Sequence, residues 1–363
     1  PRSGPSPADQ PATSPQVDGR GAQELMPPSL SPDGDLFPVA SLQTLKRRAI
    51  ALQNLRNFFT EKGYWEVETP ILSHDSCVDV WLDPFPVAIG SNATGYLQTS
   101  PEFALKRLLC AGADRIFEVA RVFRQDEIGQ RHNPEFTMIE WYACHEDHHA
   151  QMNFVEELVR SQLQLTRNSG WSDGSALPDT PFPRVSYREA FLQYANIDVA
   201  VAGNSNLMEV AQCRQIPLPR GIEEDRDGLL NLLLAECVEP ELAKLQAVFL
   251  YDFPASQAAL ARIRPEAFPV AERFELYLDG MEICNGYHEL TDPVDLQQRM
   301  RQQNAERVRL GKPALPEESR LLQAMRQGFP PCAGVALGFD RLLAWCLNLP
   351  SIRDVIAFPF DRA

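Results

Sequence analysis

Past its first 40 residues, the chain alternates between two hydrophobic periods. From Ser41 the apolar positions Leu42, Leu45, Ala49, Leu52, Leu55 and Phe59 recur at helical spacing, with Ser41 as N-cap and Gly63 as stop. "YWEVETPIL" then reads as a strand running into a proline, and "PEFALKRLLC" as a helix with Ser100 at its N-cap and Pro101 in its first turn. The period drops to two between Arg115 and Arg124, where Phe117, Val119 and Phe123 share one face and Glu118, Ala120, Val122 and Arg124 the other. A second run puts Phe136, Met138, Glu140 and Tyr142 opposite Thr137, Ile139 and Trp141. From about 147 to 245 the text is mostly helical. After it come "AVFLYDFP", a strand pair "RFELYLDGMEICNGYHEL", a polar helix and a closing "GVALGFDRLLAWCL". Strands joined by hairpins, with helices in blocks, predict an α+β fold: an antiparallel β-sheet flanked by helices.

Composition adds boundaries to that picture. Residues 1–40 are rich in Pro, Ser, Gly and Asp and are expected to be a disordered tail, leaving 41–363 as one domain with a helical insertion. A net charge of -15 disfavours broad contact with a nucleic-acid backbone. The eight cysteines contain no CxxC pair, so reduced thiols and a cytoplasmic setting are expected rather than a disulfide framework. No apolar run approaches the ~20 residues of a membrane helix, so no membrane partner is expected.

The chemistry concentrates in three places. The loop between the two alternating runs carries Arg124, Arg131 and His132, and guanidinium groups there can wrap an anion. Taken alone, the strand after it reads as half-buried, with Glu140 paired to an arginine. In the second hairpin Asp279-Gly280 suits a two-residue type I′ turn. That register pairs Leu278 with Met281 and Tyr277 with Glu282, making Glu275 and Glu282 diagonal neighbours ~7 to 8 Å apart. Two such carboxylates are either solvated on an exposed face or bridged by a hard cation such as Mg²⁺. Asn285 and Glu289 have the opposite parity and join the same face only if a bulge intervenes near Cys284 or Gly286. Finally, Arg341 falls in the first turn of a helix after a short apolar strand, where backbone N–H groups add to its charge.

In this order the pieces resemble the signature motifs of class II aminoacyl-tRNA synthetases, most closely the lysyl branch. "KGYWEVETPIL" is similar to the first motif, "FRQDEIGQRHNPEFTMIEWY" to the second and "GVALGFDRLL" to the third. "FELYLDGMEICNGYHELTD" resembles the lysyl segment that holds metal and amino acid. Where lysyl-tRNA synthetases carry an OB-fold that reads the anticodon, only the tail precedes the domain here. That difference, with "FPASQAALA" and "VIAFPFDRA", makes the chain resemble the branch that joins (R)-β-lysine to a lysine of elongation factor P.

The resemblance implies a homodimer that uses ATP and Mg²⁺, takes elongation factor P as its protein partner and does not act on tRNA. Arg124 and Arg341 would be catalytic, gripping the α- and γ-phosphates. Asp126, His132, Asn133, Phe136, Glu282, Ile283 and Gly338 would contact ATP. Ser100, Glu102, Tyr142, Asn285, Glu289 and Ala336 would contact the amino acid, and Glu275 and Glu282 the metal. Asp126 stands where the family has a longer glutamate, and Ala336 where lysyl-tRNA synthetases tend to have glycine. The alternatives are a truncated lysyl-tRNA synthetase acting on tRNA, or a non-catalytic amino-acid sensor. The sensor would be expected to have lost a phosphate arginine or a metal carboxylate.

Overall fold

The aromatic residues at the ends of the helical and alternating periods meet first: Phe59 stacks on Phe117 at 4.4 Å and meets Trp141 edge-on at 5.2 Å. The computed structural model describes residues 36–171, 177 and 179–363, and most of the expected tail lies outside them. One folded unit runs from Pro38 to Ala363. Val39 and Ala40, assigned to the tail by composition, belong to it: Val39 N–H donates to the Ala357 carbonyl at 2.9 Å, and Ala40 is buried.

Helix α1 (Leu42–Glu61) starts at Ser41, whose hydroxyl accepts from Thr44 N–H at 3.0 Å. Its buried stripe is Thr44, Ala51, Leu55 and Phe59, whereas Leu42 and Ala49 are exposed. The apolar period therefore locates the helix but is rotated from the true face, because contact with the aromatic cluster decides which side is buried. The expected strand after it is split at Pro70: Trp65–Glu66 (β1) pairs with the main sheet, while Leu72–Ser73 (β2) joins Pro86–Ile89 (β3) and Ala93–Leu97 (β4) in a separate one.

Helix α2 (Glu102–Cys110) has Pro101 rather than Ser100 at its N-cap, although the Ser100 hydroxyl still accepts from Glu102 N–H. Strands β5 (Arg115–Phe123) and β6 (Glu135–Cys144) form the long-looped hairpin, and α3 (His148–Asn168) follows. A strand β7 (Arg184–Ser186) interrupts the helical stretch before α4 (Tyr187–Ala190), α5 (Asn204–Cys213), α6 (Arg226–Leu233) and α7 (Glu239–Leu242). Then come β8 (Ala247–Pro254), β9 (Ile263–Arg264), β10 (Val270–Leu278), β11 (Met281–His288), α8 (Pro293–Arg309), α9 (Arg320–Met325), β12 (Cys332–Gly338) and α10 (Phe339–Cys346).

The main sheet has the order β1-β5-β6-β12-β11-β10-β8-β7, with β9 beside β10. Its interior pairings are antiparallel and only the outer pairs β1–β5 and β7–β8 are parallel, so the fold is α+β. Ile139, Trp141, Phe274, Leu276, Cys284, Val335 and Leu337 point to one face and pack against α1, α3 and α10. Alternation sends the residues between them to the other face, where Val248, Leu250 and Tyr277 pack with α4 and α6 and Ile116 and Tyr142 pack with α2, leaving the middle to build a site. All eight cysteines are free thiols. No helix of the described residues is long and apolar enough to cross a membrane.

Candidate active site

The middle of this face floors a cleft of about 1340 Å³. Ser100, Glu102, Arg124, His132, Asn133, Phe136, Tyr142, Glu275, Glu282, Ile283, Asn285, Glu289, Ala336, Gly338 and Arg341 all line it. Two backbone devices bring them together. Asp279 and Gly280 both have positive φ, 46° and 74°, as a type I′ turn requires, and the register runs Leu278–Met281 and Tyr277–Glu282. The register then shifts, so that Leu276 faces Cys284 and Glu275 faces Asn285. Ile283 is the extra residue of a bulge beside Cys284, and it returns Asn285 and Glu289 to the face of Glu275 and Glu282.

One end of the cleft is cationic. The Arg124 guanidinium lies 5.0 Å over the Phe136 ring, its Nε donates to the Thr99 carbonyl at 3.3 Å, and Nη1 reaches Glu127 at 3.4 Å. Arg341 is held by backbone: Nη1 donates to the Glu282 carbonyl at 3.0 Å and Nε to the Arg131 carbonyl at 3.2 Å. Its Nη2 meets His132 Nε2 at 2.9 Å. Burial, then the charge of Arg341, holds the His132 pKa below its ordinary value, so the ring is a neutral acceptor. Behind Arg341, buried Asp340 accepts from Thr137 N–H at 2.8 Å and from Arg48, which locks the helix start onto β6.

The other end is acidic. Glu102 and Glu289 flank the buried Lys106 ammonium at 2.5 and 2.6 Å. Burial alone would lower the Lys106 pKa, but these carboxylates hold it above its ordinary value. Glu140 accepts from Ser100 Oγ at 2.6 Å and from Tyr142 OH at 2.9 Å. Burial, reinforced by Glu102, pushes Glu140 up to about 8; burial likewise pushes Glu289 up to about 7. Glu289 Oε2 pairs with the Lys106 ammonium at 2.6 Å, whereas its Oε1 and Asn285 Oδ1 have no hydrogen-bond partner. Buried acceptors of this kind call for a donor-rich ligand.

Glu275 lies between these ends, with Oε1 on Arg273 at 2.5 Å and Oε2 accepting from Tyr277 OH at 2.6 Å. Burial raises its pKa, Arg273 opposes the rise and Glu282 adds to it. Glu282 is more open, 3.6 Å from Arg341 Nη1. A carboxylate accepts about four hydrogen bonds, so both retain free lone pairs.

Two of the expected residues are placed differently from the rest. Asp126 does not line the cleft. It adopts φ 60°, a turn conformation aspartate tolerates, and is exposed, while Glu127 takes the cleft wall beside Arg124. Asn133 is a clip: its Nδ2 donates to the Glu135 carbonyl at 2.6 Å and its Oδ1 accepts from Phe360 N–H at 3.0 Å, leaving one N–H for a ligand. The partners of Glu140 are hydroxyls, not the arginine that the strand alone suggested.

Lys106 and Gly334 were not legible as site residues. Lys106 stands four residues after Glu102 on one helix face, a spacing that could have signalled it. A Cβ at Gly334 would come within 2.2 Å of the Tyr142 ring and 2.6 Å of Glu289 Oε1, so glycine is what lets those side chains meet.

An antiparallel sheet whose open face carries a motif-two loop, a bulged acidic hairpin and an arginine at a helix start defines a synthetase-type site. The chain belongs to the class II tRNA synthetases (D, K and N), whose family pattern matches residues 35–362. Within that class it is 43% identical over 331 residues to the elongation factor P--(R)-beta-lysine ligase of Salmonella typhi, and 42% identical over 331 residues to that of Salmonella agona. Each match covers 90% of this chain and 98% of the relative.

Proposed function

We propose that this chain activates (R)-β-lysine with ATP and joins it to the ε-amine of a lysine on elongation factor P. In the first step a substrate carboxylate oxygen attacks the α-phosphorus, and pyrophosphate leaves. In the second the acceptor amine attacks the acyl carbon, AMP leaves with the bond electrons, and the amine gives up a proton. The observation that carries this reading is the charge division of the cleft, with arginines at one end and Glu102, Glu140 and Glu289 with unpartnered acceptors at the other. A polyphosphate suits the first and a diamino acid the second.

Arg124, anchored on Thr99 and Phe136, is suited to the charge that develops at the α-phosphate. Arg341, held by two carbonyls, presents a guanidinium that need not reorganise. Glu275 and Glu282 fit a magnesium ion, since both are hard oxygen donors with lone pairs to spare, and such an ion neutralises phosphate charge when bound.

A homodimer accords with the exposure of Trp65, Ile71 and Leu72 in the first motif. Elongation factor P as acceptor, rather than tRNA, accords with the acidic chain and with what the relatives are named for. Free thiols throughout accord with a cytoplasmic setting. ATP–pyrophosphate exchange with α-lysine and both β-lysine enantiomers tests the first step, with (R)-β-lysine expected to give the highest kcat/KM. Transfer of labelled amino acid to elongation factor P and to tRNA tests the second; label on tRNA alone would overturn the assignment.

A further inference from the structure

On the back of the sheet, away from the cleft, three side chains from distant parts of the chain converge. His148 is the first residue of α3, Glu272 lies on β10 and His288 ends β11. One ligand atom from each lies within 4.8 Å of the others, and none of the three lines the cleft. Their neighbours Arg273, Tyr287 and Glu289 do.

The hydrogen bonding around these groups is incomplete. His148 is 2% exposed, yet neither ring nitrogen makes a hydrogen bond. Glu272 Oε2 makes no hydrogen bond either and lies 2.7 Å from His288 Nδ1. Burying unpaired imidazole nitrogens is unfavourable unless something binds them. The charged neighbours are Arg264, which takes Asp252 Oδ2 at 2.6 Å and faces Glu272 Oε1 at 3.5 Å, and Arg262, which is mostly exposed and 3.7 Å from Oε2. Asp252 Oδ1 is 3.5 Å from His148 Nε2 and within reach as a further ligand.

We propose that His148, Glu272 and His288 bind a divalent first-row transition metal, with zinc as the best-suited ion, which staples the start of α3 to the β10–β11 hairpin. Metal bonds of ~2.0 to 2.2 Å place ligand atoms within about 4.4 Å of each other, so only small rotations separate the observed arrangement from a bound one. Imidazole donors select zinc, cobalt, nickel or copper over magnesium, so this site and the cleft carboxylates take different ions.

Chelator-stripped, untagged full-length protein titrated with Co²⁺ provides the test. The expected result is one equivalent per chain with a visible d–d band, displaced by Zn²⁺ and not by Mg²⁺. His148→Ala and Glu272→Gln should each weaken binding at least ten-fold. His149→Ala, at the residue whose ring lies 4.1 Å from that of His148, should leave it unchanged. Absence of a stoichiometric band in the parent protein overturns the proposal whatever the variants do. So does a band that persists in both ligand variants, or one that His149→Ala removes and His148→Ala does not.

Discussion

Lys106 stands as one ammonium against three carboxylates, Glu102, Glu140 and Glu289, and that imbalance makes the acid end sensitive to pH. The folded pKa values of Glu140 and Glu289, about 8 and about 7, lie above the ordinary carboxylate range. These two groups therefore hold more protons in the free folded protein than in the unfolded chain between pH ~4.5 and 8, and the stability they contribute falls as pH rises through that window. A cationic substrate reverses the balance, because it binds the ionised carboxylates. KM for the amino acid, read by pyrophosphate exchange, should fall from pH 6 to pH 8; a flat profile would mean these acids do not face it. Arg124→Ala and Arg341→Ala should each abolish exchange at saturating ATP while circular dichroism stays native, since both side chains face the cleft. Ala336 lies on β12 between Asn285 and Glu140, opposite both in register. Its methyl projects among groups expected to hold the substrate amines. Ala336→Gly should raise kcat/KM for α-lysine roughly ten-fold, about what one methyl can supply, without improving β-lysine. An unchanged ratio would make Ala336 ordinary strand packing.

At the scale of elements, the loop between β5 and β6 is held by the end of the chain. Phe360 N–H donates to Asn133, Ile352 N–H donates to the Gln130 carbonyl at 3.0 Å, and Arg353 pairs with Asp361 through both terminal nitrogens. Removing residues 359–363 takes away the Asn133 partner and the Arg353 pair but leaves the sheet intact. KM for ATP should rise several-fold with kcat for the remaining activity less affected, measured by exchange at fixed amino acid. The same kinetic constants as the full chain would show that the clip is dispensable. The bulge at Ile283 belongs to this scale too: without one extra residue, Asn285 and Glu289 would face the helices and not the cleft.

For the whole molecule, the folded unit begins at Pro38 and holds every residue of the proposed site. Deleting residues 1–37 should leave exchange activity within about two-fold, because that composition lacks the apolar surface to form a pocket. A soluble truncated protein without exchange activity would refute this. The division between what was legible and what was not follows the reach of each signal. Local periodicity and turn chemistry are properties of neighbouring residues, so the α+β class, the Asp279-Gly280 register and the shared face of Phe136, Met138, Glu140 and Tyr142 could be read along the chain. The residues that the motifs named, apart from Asp126, line the cleft. What the chain alone left open was decided by contacts between residues far apart in sequence. These chose the buried side of α1 through Phe117 and Trp141, placed the bulge at Ile283, turned Asp126 out and Glu127 in, and committed Asn133 to Phe360. They also set Lys106 between Glu102 and Glu289, and brought His148 to Glu272 and His288. No local period records such meetings, because each depends on strand order and packing that exist only once the sheet has formed.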